Sequence, residues 1–95
     1  METKKVLIVE DEMIIAMLIE RMVTNMGHQV IDKVSSGEDA INKALEHNPD
    51  LILMDINLAD DVDGIEAAKE INKHRDVKLI YITSSEDPED FKRAK

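Results

Sequence analysis

The sequence predicts an α/β domain built on a doubly wound parallel sheet. Three short runs, residues 6–9, 51–54 and 79–82, are apolar throughout, a pattern typical of strands that are buried on both faces. Segments with helical periodicity and recognisable ends lie between these runs. Strands that alternate with helices imply right-handed crossovers and a parallel sheet with helices on both sides. The chain has 95 residues, which is enough for one such domain and too few for two.

The predicted elements follow the order β-α-β-α-β-α-β-α. Gly27 ends the first helix at the position where a left-handed C-cap is favoured. Ser35 or Ser36 can cap the second helix, with Glu38 or Asp39 completing a capping box. The second strand mixes charged residues into its apolar run, so we expect it at an edge of the sheet. Strands are predicted over residues 4–9, 30–34, 51–54 and 77–82. Helices are predicted over residues 13–26 and 36–48, and two more begin at residues 63 and 87.

The composition argues against several functional classes. With 12 Lys and Arg against 21 Asp and Glu, the formal charge is −9, and such a surface repels the phosphates of nucleic acid and of anionic lipid. The chain has no Cys, and hence neither a disulfide framework nor a thiolate nucleophile. Its longest apolar run, residues 13–19, is far shorter than the roughly 20 residues of a membrane span. We therefore expect a cytoplasmic protein that contacts neither nucleic acid nor membrane directly.

Acidic and hydroxyl side chains stand where the predicted strands end. In an open parallel sheet, ligands bind at the carboxyl ends of the strands. The first strand ends in Glu10, Asp11 and Glu12, the third in Asp55, and the fourth in Thr83. If the first and third strands are neighbours, the carboxylates of Glu10, Asp11 and Asp55 converge and repel one another unless a cation lies among them. Mg²⁺ is the ion that such hard oxygen ligands favour, whereas Glu12 is expected in the first turn of the helix as a solvated charge.

A carboxylate beside Mg²⁺ and a hydroxyl suggests phosphoryl transfer. A carboxylate can be the group that attacks phosphorus, the metal neutralises the transferring oxygens, and a hydroxyl can donate to one of them. Asp55 is the best candidate for the attacking group, and Thr83 for the hydroxyl.

The residues at these strand ends resemble those of response-regulator receiver domains, the phospho-accepting modules of two-component signalling. The resemblance spans essentially the whole chain, and its specificity comes from the joint order and spacing of several motifs. It is carried by residues 6–12, residues 49–56, Asp63 with Gly64, and Thr83. The resemblance implies a flavodoxin-like fold with five strands in the order 2-1-3-4-5, which agrees with an edge position for the second strand.

The resemblance also implies a role for each residue of the acidic site. Asp55 would be the phosphorylation site, and Thr83 the switch hydroxyl that moves toward the phosphoryl group. Asp11 and Asp55 would bind Mg²⁺ directly together with the backbone carbonyl of Asn57, and Glu10 would bind it through a water. The phosphoryl donor would be a histidine kinase or a histidine phosphotransferase. By this resemblance the chain is a phospho-acceptor and not an enzyme, apart from any intrinsic autodephosphorylation.

The sequence departs from the family pattern in two places. The loop after Asp55, residues 56–64, is slightly longer than in many relatives and lacks their usual Pro. The sequence also stops before a fifth strand, and none of its residues takes the role of the family's phosphate-contacting lysine or of its switch aromatic. We therefore expect residues 1–95 to form a single, C-terminally truncated receiver domain with strands in the order 2-1-3-4. The fourth strand would then be an edge, able to form a homodimer by edge pairing or by exchange of elements.

The departures leave a second function open. The missing strand favours a receiver-like module that binds a protein partner and is not phosphorylated. The retained acidic residues and Thr83 favour a phospho-acceptor instead.

The first predicted helix is more apolar than one buried stripe requires. Ten of the 14 residues from Met13 to Met26 are apolar, and four of them are Met, a residue common on adaptable binding surfaces. Either the helix is packed deeply, or part of it is a docking surface. In the family that the chain resembles, the first helix meets the helical bundle of a kinase or phosphotransferase, so Met13, Ile14 and Met17 are the docking candidates.

Overall fold

A computed structural model describes residues 3–55 and 64–82 and confirms the predicted α/β architecture. Its elements are β1 (Lys5–Val9), α1 (Met13–Asn25), β2 (Gln29–Val34), α2 (Gly37–His47), β3 (Leu51–Asp55), α3 (Gly64–His74) and β4 (Lys78–Ile82). Within these ranges the strands are all parallel and form one sheet in the order β2-β1-β3-β4. The helix predicted from residue 87 lies outside the described residues.

Residues 6–9 of β1 and 51–54 of β3 are all apolar because helices cover both faces of the sheet. Their register places Val9 beside Met54. Successive side chains of a strand point to opposite faces, so Leu7 and Val9 face α2 and α3, whereas Val6 and Ile8 face α1. All four of these β1 side chains are at most 1% exposed. The continuous apolar run in the sequence is therefore the signature of a strand with two buried faces.

The larger core lies between the sheet and the pair α2 and α3. Alanines line the buried faces of both helices, and such small side chains allow helix and sheet to approach closely. Ile71 of α3 is fully buried. The buried members of this core are Leu7, Val9, Ala40, Ala44, Ile52, Met54, Ala67 and Ile71.

On the opposite face of the sheet, α1 makes a smaller core. The helix begins at Met13 as predicted and ends at Asn25, with Met26 as its C-cap. Gly27 follows with a φ of 90°, the left-handed conformation that was expected of it and that favours glycine. In the described ranges, no helix is long and apolar enough to cross a bilayer.

The ends of α2 show which of two neighbouring serines is the cap. Ser36 has extended backbone angles, and its hydroxyl accepts a hydrogen bond from the backbone N–H of Asp39 at 3.1 Å. Ser35 is exposed and precedes the cap. At the other end, Asn48 adopts a left-handed conformation, and its N–H donates to the carbonyl of Ala44. Both helix ends thus satisfy backbone groups that would otherwise lack partners.

The charges of β2 explain its place at the edge of the sheet. Lys33 Nζ lies 2.7 Å from Glu20 Oε1 of α1, and Lys43 Nζ of α2 lies 3.7 Å from Asp32 Oδ2. These ion pairs are more than a third exposed, which only an edge strand allows. The predicted edge position of β2 is confirmed.

The other edge of the described sheet is β4, as predicted. Ile80 is 44% exposed and Tyr81 is 38% exposed, so this strand is less covered than β1 or β3. Such a strand is the kind of edge that can pair with another chain. Self-association through β4, or by exchange of elements, stays a prediction.

Replacement of the α2 cap should lower the stability of the fold. In Ser36→Ala, the N–H of Asp39 loses its acceptor, and we expect the free energy of unfolding to fall by about 1 kcal/mol. Urea unfolding followed by circular dichroism measures this change. The matched control is Ser35→Ala, which should leave the free energy of unfolding nearly unchanged. Equal losses in the two variants would contradict the assignment of the cap.

Candidate functional site

The site predicted from the sequence lies at the carboxyl ends of β1 and β3. Val9 and Met54 are the last residue pair in their register, so Glu10 and Asp55 follow side by side. The backbone N–H of Glu10 donates to the carbonyl of Val34 at 2.9 Å, which ties Glu10 to the edge strand β2. Strand pairing therefore sets two carboxylates next to each other at the end of the sheet.

Burial makes these carboxylates costly to ionise together. Asp55 is 1% exposed and Glu10 is 3% exposed, whereas Asp11 is partly buried. One carboxylate oxygen from each of the three residues lies within 4.8 Å of the other two. Like charges this close repel strongly, because the protein interior screens them less than water does. The structure thus brings together the three carboxylates that the sequence singled out, and their individual roles stay predictions.

The environment of Glu10 disfavours its ionised form. Burial, first of all, and then the side chain of Asp55 raise the pKa of Glu10 from 4.5 to about 8. The backbone N–H of Glu12 donates to Glu10 Oε2 at 3.2 Å and opposes this rise. The second oxygen, Oε1, is buried and makes no hydrogen bond within the described part of the chain. At neutral pH, Glu10 therefore holds a proton as long as no cation is near.

The donor set fits a small divalent cation. Carboxylates are hard oxygen ligands, and Mg²⁺ is commonly held by one or two of them together with water. Buried polar atoms normally have a partner, and Glu10 Oε1 would gain one from a water bound to such an ion. Positive charge here would also relieve the repulsion among the three carboxylates. The residues present therefore match the predicted Mg²⁺ site in chemistry and in mutual distance.

Two of the predicted site residues fall outside the described residues. Asn57 belongs to residues 56–63, and Thr83 follows Ile82, the β4 residue that pairs with Asp55. The predicted roles of the Asn57 carbonyl and the Thr83 hydroxyl stay predictions.

A cleft opens beside the carboxylates, between α1 and the carboxyl end of β2. Its volume is about 550 Å³, within the usual range of ligand clefts. Glu10, Asp11 and Met13 contribute to its lining, as do Lys33 and Lys43. The two lysines were missed in the sequence. Lys33 could have been found, because β2 beside β1 brings its own carboxyl end next to the acidic residues, whereas Lys43 reaches the cleft from α2.

The apolar face of α1 borders this cleft and is exposed. Met13 and Ile14 are each 76% exposed and Met17 is 55% exposed, while Met13 and Met17 also line the cleft. The alternative that α1 is deeply packed is wrong, because the helix meets the sheet through a narrow stripe that includes Ala16 and Val23. Other exposed apolar residues of the same segment are Leu18, Met22 and Met26.

Comparison with known proteins identifies the fold and the family. The sequence matches the model of the response regulator receiver domain over residues 6–95. The chain belongs to this family. Receiver domains generally bind Mg²⁺ at an acidic pocket, and the cluster of Glu10, Asp11 and Asp55 is an acidic pocket of this receiver domain.

Relatives of this receiver domain are regulatory proteins. The phyllosphere-induced regulator PhyR of Methylorubrum extorquens is 41% identical over 81 residues, which cover 84% of the chain and 30% of PhyR. The response regulator protein VraR of Staphylococcus epidermidis is 42% identical over 92 residues, which cover 95% of the chain and 44% of VraR. The chain therefore spans less than half the length of these curated relatives.

A solved structure agrees with the sequence relatives. The anti-anti-sigma factor PhyR of Bartonella quintana, crystallised in complex with the anti-sigma factor NepR, superimposes with a TM-score of 0.78 and 39% identity. This match covers 83% of the receiver domain described here and 33% of the PhyR chain. The receiver fold predicted from the sequence is confirmed.

The raised pKa of Glu10 predicts how the stability of the metal-free receiver domain depends on pH. The folded state holds the Glu10 proton up to about pH 8, whereas the unfolded state loses it near pH 4.5. Between these values the folded state binds more protons, so the contribution of Glu10 to the free energy of unfolding falls as pH rises. Glu10→Gln cannot ionise. In EDTA, its melting temperature relative to the unmodified chain should therefore increase steadily from about pH 5 to about pH 8.

The control for this prediction is Glu12→Gln. It removes a neighbouring exposed carboxylate and keeps the backbone N–H that donates a hydrogen bond to Glu10. Its pH profile should run parallel to that of the unmodified chain. A parallel profile for Glu10→Gln as well would contradict the assigned environment of Glu10.

Proposed function

We propose that this receiver domain is the phospho-acceptor of a two-component system, with Asp55 as the residue that takes the phosphoryl group. The observation that carries the proposal is the position of Asp55, a buried carboxylate at the end of β3 with the oxygens of Glu10 and Asp11 within 4.8 Å. The donor is a histidine kinase or a histidine phosphotransferase. Membership of the receiver-domain family supports this assignment, because phospho-acceptance is the activity that receiver domains share. The acidic pocket is suited to that activity.

The same carboxylates would hold the Mg²⁺ ion. Asp11 and Asp55 are the direct ligands in this proposal, and Glu10 acts through a water that its buried Oε1 accepts from. The backbone carbonyl of Asn57, outside the described residues, completes the set. When bound, Mg²⁺ supplies positive charge that neutralises the transferring phosphoryl oxygens.

The transfer step follows from the chemistry of the groups. A carboxylate oxygen of Asp55 attacks phosphorus, the bond from phosphorus to the donor imidazole breaks, and the imidazole nitrogen keeps the electron pair. The product is an acyl phosphate on Asp55, which is later hydrolysed by water. The hydroxyl of Thr83 would donate to a phosphoryl oxygen and so link phosphorylation to conformation. The chain acts as an acceptor in this scheme, and not as an enzyme with a separate substrate.

The docking surface for the donor is the exposed apolar face of α1. Isolated apolar side chains are common on protein surfaces, whereas contiguous groups of them mark sites of interaction. Met13 and Met17 line the cleft that Glu10 and Asp11 also line, so a helix that docks on α1 lies close to the acidic pocket. The partner of this receiver domain is accordingly a protein, as NepR is for the PhyR of the solved complex. A cytoplasmic location stays a prediction.

A chemical phosphorylation assay tests the acceptor residue. Incubation of the chain with acetyl phosphate and Mg²⁺ should add one phosphoryl group, measured by intact mass, and EDTA should abolish the addition. Asp55→Asn removes the attacking carboxylate and should prevent labelling. Asp11→Asn removes a direct ligand and should raise the Mg²⁺ concentration needed for half-maximal labelling by roughly 10- to 100-fold or more.

The matched control is Asp50→Asn, directly before β3 and at the opposite end of that strand from Asp55. Its side chain accepts a hydrogen bond from the backbone N–H of Lys5 at 2.8 Å, and the Asn oxygen preserves that bond. This variant should be labelled like the unmodified chain. An unmodified chain that gains no phosphoryl group would instead favour the alternative function, a receiver-like module that binds its partner without phosphorylation.

Substitution on α1 should separate docking from chemistry. Ile14→Lys places a charge on the exposed face, and we expect transfer from a histidine kinase that phosphorylates the chain to slow by about tenfold, the effect of losing one well-buried interface side chain. Labelling by acetyl phosphate should keep its rate. The control, Asn42→Lys on the exposed side of α2, adds the same charge away from α1 and should affect neither rate. Equal slowing with both donors would indicate a folding defect and contradict the docking assignment.

A further inference from the structure

The methionines of this chain fall into two groups that differ in exposure. Met13, Met17, Met22 and Met26, here called the α1 methionines, are between 55% and 76% exposed. Met54, in the middle of the sheet, is fully buried. Met1 lies outside the described residues. The sequence therefore holds a set of accessible thioethers together with an inaccessible one that serves as an internal reference.

The α1 methionines do not contribute to the core. The contact of α1 with the sheet is made by Ala16 and Val23, with Ile19 packed against them. Met13 and Met17 are four residues apart, as are Met22 and Met26, so each pair is separated by about one helical turn. A polar change at these sulfur atoms disturbs little buried packing, because more than half of each residue is exposed.

We propose that the α1 methionines are a site of reversible oxidation, at which hydrogen peroxide makes the exposed surface of α1 more polar. In each step a thioether sulfur attacks one oxygen of the peroxide and the O–O bond breaks. One oxygen forms the sulfoxide, the other leaves as water, and sulfur loses two electrons to the peroxide. Methionine sulfoxide is polar and chiral, so it disrupts surfaces that depend on apolar methionine.

The position of the pairs gives this modification a consequence. Met13 and Met17 line the cleft beside Glu10 and Asp11, and they belong to the face assigned above to donor docking. Their oxidation would weaken docking without changing a residue of the acidic pocket. This consequence rests on the proposed function, whereas the oxidation itself does not.

Peptide mapping after exposure of the full chain to hydrogen peroxide tests the site. The α1 methionines should each gain one oxygen on the order of tenfold faster than Met54, because exposure governs susceptibility. The oxidised chain should elute earlier in hydrophobic-interaction chromatography and keep its melting temperature. Incubation with the two methionine sulfoxide reductases and a dithiol should restore the original retention, as the dithiol becomes a disulfide and the oxygen leaves as water.

Leucine variants identify the residues responsible. Leucine is apolar and of similar size but has no sulfur, so the variant with leucine at all four positions should keep its retention after peroxide. Met13→Leu with Met17→Leu, or Met22→Leu with Met26→Leu, should each remove about half of the shift, since each removes one of the two pairs. Met54→Leu should leave the shift intact.

Three results would overturn the inference: oxidation of Met54 as fast as that of the α1 methionines, unchanged retention after their oxidation, or retention that the reductases do not restore. None of these readouts involves Asp55. A chain that fails to accept a phosphoryl group therefore tests the inference equally well, and failure of one proposal is distinguishable from failure of the other.

Discussion

The enforced proximity of the buried carboxyl groups of Glu10 and Asp55 is the constraint on which the acidic site of this receiver domain depends. Parallel pairing of β1 with β3 fixes the distance between Glu10 and Asp55, because both directly follow the last pair of the register, Val9 and Met54. Water cannot screen them at 3% and 1% exposure. The site therefore needs a proton on Glu10, which its raised pKa provides, or a cation among the carboxylates.

An apolar sheet is what holds this unfavourable arrangement in place. The side chains of β1 alternate between two cores, so the strand cannot slide by one residue without exchanging its faces. The register is consequently rigid, and the carboxyl groups stay close although they repel each other when both are ionised. A weaker sheet would let the two strand ends separate, and the acidic pocket would lose its concentration of carboxylates.

The sequence was most informative where one residue pattern has one structural solution. Continuous apolar runs identified β1 and β3, and the charges of β2 identified an edge, because buried charges without partners are costly. It was least informative where several packings satisfy the same pattern. The apolar residues of α1 suited a deep core as well as a surface, and only the narrow contact through Ala16 and Val23 decided that Met13 and Ile14 are exposed. Likewise Ser35 and Ser36 were equivalent as caps until the backbone of Ser36 was seen to be extended.

Taken by itself, the sequence determined the order of the elements, the strand ends at which acidic residues gather and the three residues that form the acidic pocket. These follow from periodicity and from the position of polar residues after apolar strands, both of which are local properties of the chain. Only the tertiary structure decided the proton affinity of Glu10, the lysines that border the cleft and the exposed face of α1. Those properties depend on burial and on neighbours from distant segments, and no local pattern specifies which segments become neighbours or how closely they pack.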